Sequence, residues 1–181
     1  MTYTQADEEL SLLACTEAEA FNELYRRHVD AIYRYHLART GCIQDAEDLT
    51  AQTFLAALEN IRGFKGHAAF ISWLFGIASH KLADFYRRRK ESTSLEAGLD
   101  VAEDCPHPEE LSEQRLHFDD VVRALETLAP ERSEALVLRL FAGLSAREAG
   151  LAMGKSEAAV KMLVHRGLKD LKQRLVQEAE L

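Results

Sequence analysis

Cysteine is scarce: Cys15, Cys42 and Cys105 are the only three in 181 residues. They are odd in number, widely spaced and without a C-x-x-C pair, so a disulfide framework or a zinc knuckle has little support. Long apolar runs are missing too. No stretch approaches the ~18 uncharged residues a membrane-spanning helix needs, and the N-terminal MTYTQADEEL is acidic where a signal peptide would be basic. The expectation is a soluble, cytoplasmic protein with no membrane insertion of its own. Catalytic signatures are equally thin. There is no H-E-x-x-H and no G-x-S-x-G, and none of the seven histidines has a glutamate three residues before it. GLAMGKS, residues 150 to 156, imitates a phosphate-binding loop, but it has three residues between its glycines where that loop needs four, and it joins two helices. No enzyme, metal or cofactor is expected.

What is present is charge, unevenly distributed. Residues 1 to 60 carry net −7, residues 61 to 90 net +6, residues 91 to 114 net −8 and residues 115 to 181 net +1, within an overall −8. A basic block on an acidic chain reads as a site for a polyanion, because the surrounding charge repels phosphate elsewhere. Its densest part is DFYRRRK, residues 84 to 90.

The periodicity is helical. Phe21, Leu24, Tyr25, His28, Ile32 and Tyr35 form one stripe, Ala51, Phe54, Leu55, Leu58 and Ile61 a second, and Phe70, Trp73, Leu74, Ile77, Ala78, Leu82 and Phe85 a third. Asp45 reads as the N-cap of the second helix, in an acidic first turn. From Glu91 to about Glu110 the periodicity vanishes, Pro106 and Pro108 occur, and every charge is negative, which predicts a flexible linker. Beyond it a further stripe precedes Pro130, which suits the first turn of a helix ending at Gly143. Ser145 with Glu148 then forms a capping box, Gly154 stops that helix, and Ser156 caps a longer one. Two capped helices around a glycine turn make a helix-turn-helix. On its second helix Val160, Leu163, Val164, Leu168 and Leu171 face inward and Ala158, Lys161, Met162, His165 and Lys169 outward. Between Lys161 and Arg174 stand five cations and one anion, which fits a recognition helix in a major groove. The fold class is therefore all-α, with two small helical domains over residues 1–90 and 111–181 and an acidic linker over 91–110.

DAEDLTAQTFLAAL (45 to 58), FISWLFGIASHKLADFYRRRK (70 to 90) and LSAREAGLAMGKSEAAVKMLVHRGLKDL resemble, in order and separation, bacterial RNA polymerase sigma factors of the extracytoplasmic-function group. The resemblance implies a protein that binds core RNA polymerase, reads two elements of promoter DNA and is held silent by an anti-sigma factor. It assigns Phe64, Lys65, His80, Lys81, Asp84, Arg87, Arg88 and Arg89 to the minus-ten element. There the cations would neutralise phosphates, and Phe64 with Lys65 would hold an unstacked base. Ser156, Ala158, Lys161, Met162, His165, Arg166 and Lys169 fall to the minus-thirty-five element, and Asp45, Glu47, Asp48, Gln52 and Phe54 to the polymerase. The acidic linker, with Glu96, Asp100, Glu103, Asp104, Glu109 and Glu110, would thread toward the polymerase cleft as a nucleic-acid mimic.

The chain departs from the family pattern in three places. His80 stands where Asn is usual, Ala51 and Gln52 stand where Gln and then an acid are usual, and Met162 and Leu163 stand where Ser and Arg are common. Promoter sequence is therefore not transferable from relatives. The alternative is a stand-alone helix-turn-helix regulator that binds duplex DNA as a dimer.

Overall fold

The computed structural model describes residues 6–64, 69–95 and 113–179, and every regular element among them is helical. The first half contains α1 (Asp7–Leu13), α2 (Ala18–Thr40), α3 (Ile43–Asn60) and α4 (Phe70–Leu95). The second contains α5 (Glu113–Glu126), α6 (Pro130–Leu136), a π-helical turn at Val137–Phe141, α7 (Ala146–Met153) and α8 (Glu157–Ala179). The loop residue Lys65 and the linker acids from Glu96 to Glu110 lie outside the described residues. The α4 helix runs to Leu95, past the expected boundary at Lys90.

Gly41 ends α2 in the left-handed region, at φ 67°, a conformation open to glycine without a Cβ penalty. The chain therefore reverses within two residues, and α3 starts earlier than expected. Its N-cap is Cys42, not Asp45, and Asp45 sits in the first turn, where its charge still meets the positive end of the helix dipole. Cys42 itself is buried at this cap.

The seven-residue α1 is too short to show a period and was not expected. Tertiary contacts hold it. Leu10 is fully buried, Asp7 Oδ1 accepts from Arg27 Nη1 at 3.0 Å, and Asp7 Oδ2 lies 2.6 Å from His28 Nε2. His28 holds the Asp7 carboxyl below the usual carboxylate range, with Arg27 adding to the effect against the opposing pull of burial.

The two halves do not stand apart. One contiguous apolar core runs from Leu10, Leu24 and Phe75 to Leu136, Val137 and Ala149, and polar groups bridge the seam. Tyr35, 1% exposed, packs edge-on to Phe75, and its hydroxyl donates to Glu134 Oε1 at 2.9 Å. Arg39 Nη1 donates to the buried Ser133 Oγ at 2.9 Å, and the Ser72 hydroxyl donates to the Glu148 carbonyl at 3.3 Å. Each of these first-half side chains is paired across the seam, so docking satisfies polar groups that would otherwise need water.

Candidate nucleic-acid and polymerase interfaces

The C-terminal half of α4 lies against α3 across a cleft of about 340 Å³, lined by Asp45, Leu49 and Gln52 from α3 and by Lys81, Asp84, Phe85, Arg88 and Arg89 from α4. Asp45 and Gln52, which the resemblance gives to polymerase, thus share one cleft with Lys81, Asp84, Arg88 and Arg89, which it gives to DNA. His80, Arg87, Arg88 and Arg89 are exposed, while Lys81 and Asp84 are half-buried. Arg87 Nη2 pairs with Asp84 Oδ1 at 2.9 Å, one turn away. The Tyr86 hydroxyl donates to the Arg39 carbonyl and ties this end of α4 to the end of α2. The cations therefore project from a helix fixed on one side, and the result is a basic edge with a mixed-charge floor.

Two expected contact residues lie elsewhere. Phe64 is 6% exposed, with its ring edge-on to Phe70 at 5.8 Å and tilted against Trp73 at 5.1 Å. It is a core ring in this conformation, not one free to stack on a base. Phe54 is likewise buried, edge-on to Tyr25 at 4.8 Å. The sequence pattern placed Leu55 and Leu58 on the inner face, yet they are 58% and 48% exposed. With Asp48 and Ala51, also exposed, they form a solvent-facing stripe at three- and four-residue spacing. Glu47 is exposed at the edge of that stripe. The missed signal was partly angular: at 100° per residue, Leu55 falls about 20° from Asp48, whereas Leu58 falls about 40° from the buried Phe54 and carries no such signal.

The helix-turn-helix forms as its caps dictate. Ser145 Oγ accepts from the Glu148 backbone N–H at 3.2 Å, and Glu148 Oε2 accepts from the Ser145 N–H at 2.7 Å. Gly154 closes α7 at φ 63°, and Ser156 Oγ accepts from the Ala159 N–H at 3.2 Å to open α8. Val160 is fully buried. Gly167 lets α8 approach α6 so closely that an added Cβ would lie 2.8 Å from Leu136 Cδ1. An Arg132–Asp170 ion pair and a 2.8 Å Lys155–Glu131 pair fasten the same contact. Ala158, Lys161, Met162, His165, Arg166 and Lys169 are all exposed, as is Ser156. Leu168, expected inside, is 46% exposed because it lies at the edge of the packed stripe. Lys161 Nζ pairs with Glu157 Oε1 at 2.5 Å, and this bond lowers the Glu157 carboxyl below its ordinary range.

No group of three or more His, Cys, Asp or Glu among the described residues is placed to hold a metal, and no described helix is long and apolar enough to cross a membrane.

A helical body with a basic helix edge, docked on a capped helix-turn-helix with a free outer face, defines a transcription protein of the DNA-binding class. Comparison with known proteins narrows the class. The Sigma-70 region 2 model matches residues 24–92, and the Sigma-70 region 4 model matches residues 118–171. The ECF RNA polymerase sigma factor BldN of Streptomyces coelicolor is 36% identical over 166 residues, which are 90% of this chain and 63% of that protein. The chain thus spans less than two thirds of BldN. The RNA polymerase sigma factor NccH of Alcaligenes xylosoxydans xylosoxydans is 30% identical over 172 residues, with 92% of each protein covered. The structure of CnrH in complex with the cytosolic domain of CnrY superposes with a TM-score of 0.71 at 26% identity, covering 96% of this chain and 99% of that one. The chain belongs to the sigma-70 family of RNA polymerase sigma factors, in its extracytoplasmic-function group.

Proposed function

We propose that this protein binds core RNA polymerase, directs it to specific promoters and promotes initiation, acting in the cytoplasm and performing no chemistry of its own. The observation that carries this reading is the presence in one chain of two separate surfaces suited to nucleic acid, the basic edge of α4 and the outer face of α8. Lys81, Arg87, Arg88 and Arg89, with His80 and Asp84 beside them, meet the minus-ten element. The outer face of α8 meets the minus-thirty-five element. A further partner is proposed, an anti-sigma factor; CnrH, which this chain resembles in fold, is itself in complex with the cytosolic domain of a second protein, CnrY.

Run-off transcription with core polymerase tests the proposal. The free chain, at net −8, should bind duplex promoter weakly, because its charge opposes approach to phosphate, and core polymerase should rescue binding and start RNA synthesis. Tight, specific duplex binding unchanged by polymerase would instead favour a stand-alone regulator.

The polymerase contact moves from the sequence-based assignment. Phe54 is buried, and the exposed stripe Asp48, Ala51, Leu55 and Leu58 supplies the apolar centre a docking helix needs, with Asp45, Glu47 and Gln52 around it. Leu55→Asp is expected to weaken binding to core polymerase by roughly tenfold or more, since it places a charge where apolar surface should be buried. Its unfolding midpoint should stay near that of the wild type, because Leu55 is 58% exposed. Titration of labelled core polymerase alongside a thermal melt reads both quantities. Unchanged affinity would remove α3 from the interface.

A further inference from the structure

The outer face of α8 changes character along its length. Its first two turns present Ala158 and Met162, both exposed, the latter 51%, and neither belongs to the apolar core or packs against it. The next turns present His165 and Lys169 on the same line, with Lys161 on one flank and Arg166 on the other. At 100° per residue, Ala158, Met162, His165 and Lys169 fall within about 60° of one another, and Lys161 and Arg166 lie outside them on opposite sides. The centre of the leading half is therefore apolar, and the cations border it. Lys161, the cation nearest the tip, is held by Glu157 at 2.5 Å.

A single exposed methionine on an ordinary surface needs no explanation. Here it occupies the middle of a face that, on the reading proposed above, enters a groove and loses its water. In the major groove the apolar feature on the base edges is the C5 methyl of thymine, and small or flexible apolar side chains are the ones that meet it. The flanking cations then fall on the phosphate walls. Four residues of helix rise about 6 Å and base pairs stack every 3.4 Å, so Ala158 and Met162 reach the same base step or the next but one.

We infer that Ala158 and Met162 determine specificity in the upstream promoter element by reading the methyl groups of thymines in adjacent or next-but-one base pairs. The inference rests on α8 being the recognition helix, and the experiment separates the two claims. Core polymerase reconstituted with the full chain selects duplexes from a library randomised upstream, and chemical footprinting of the bound pool locates the contact. Each enriched dT is then replaced by dU, which lacks only the methyl. One or two such positions should lose about fourfold in affinity each, the value of one buried methyl. Met162→Ala should abolish dT-over-dU discrimination at one of them while its melting midpoint and its affinity for core polymerase stay unchanged. If every dU duplex binds as its dT parent while the upstream footprint persists, the methyl-reading inference is wrong. If no upstream footprint forms at all, the reading of α8 falls, and this inference with it.

Discussion

Lowering the pH from 7 to 4 is expected to remove about 3 kcal/mol of folding stability through one residue, His36. Its ring is fully buried, between α2 and α3. The Thr53 hydroxyl donates its hydrogen to the Leu49 carbonyl at 2.7 Å, so at 3.1 Å it can only accept from His36 Nε2. That fixes the neutral tautomer with the proton on Nε2 and leaves Nδ1 bare, with no partner. Burial pushes the imidazole pKa down from 6.5 to about 4. The folded pKa lies below the unfolded one, so as pH falls past about 6.5 the unfolded chain takes a proton that the folded chain refuses. Stability drops steadily to about pH 4 and then levels for this group. Asp7 has the same sign in a lower window. Its folded pKa is depressed, and its contribution is full above 3.8 and lost below that as the carboxylate protonates. Urea unfolding at a series of pH values reads the slope. His36→Gln can keep a donor near Thr53 and does not titrate, so its stability should be nearly flat from pH 6.5 to 4. A wild-type slope in that variant would assign the acid sensitivity elsewhere.

The second large effect concerns Gly150. A Cβ there would lie 2.7 Å from the Lys155 carbonyl oxygen, and that oxygen is backbone, held in the turn where the Lys155 N–H donates to the Gly150 carbonyl at 2.8 Å. A flexible side chain could move aside, but this turn cannot without re-aiming α8. Gly150→Ala is expected to cost about 1–3 kcal/mol, the range for overpacking a tight contact, although alanine is the better helix former by about 1 kcal/mol. The loss should show as a lower urea midpoint. Loss of initiation at promoters that depend on the upstream element should accompany it. Equal or higher stability would mean that the turn is free to shift.

How much of this was legible in the sequence depends on range. Ser145 with Glu148, Ser156, Gly154 and Pro130 act within four residues, and the helix boundaries they announce stand as expected. The all-α class followed from the same local periodicity. Contacts between elements were not legible. Phe54 and Leu55 are neighbours in one apolar stripe, yet one is 5% exposed and the other 58%; the angle along α3 sets Leu55 on the side of Asp48, but the positions of α2 and α4 decide which side is covered. Phe64 has the composition of a base-stacking residue and the location of a core ring. Asp45 had the chemistry of a cap, but Gly41 had already turned the chain. Nothing local links Tyr35 to Glu134, which stand 99 residues apart. The docking of the two halves therefore had no signature to read.

That docking sets a ruler against the promoter. The minus-ten and minus-thirty-five elements are, by name, roughly 25 base pairs apart, or about 85 Å along straight duplex. A closed globule of this length measures only about 40 Å across. With Tyr35 joined to Glu134 and Arg39 to Ser133, the molecule is too short to touch both elements at once. On the reading proposed above, an encounter in which α4 and α8 meet the two elements together would have to break this seam, and the free energy of the seam would be subtracted from promoter affinity, at tenfold for each 1.4 kcal/mol. On that reading the seam would act as a threshold on the gene's readout: polymerase holding the two halves far apart would lift it, and DNA alone, offering one element at a time, would not.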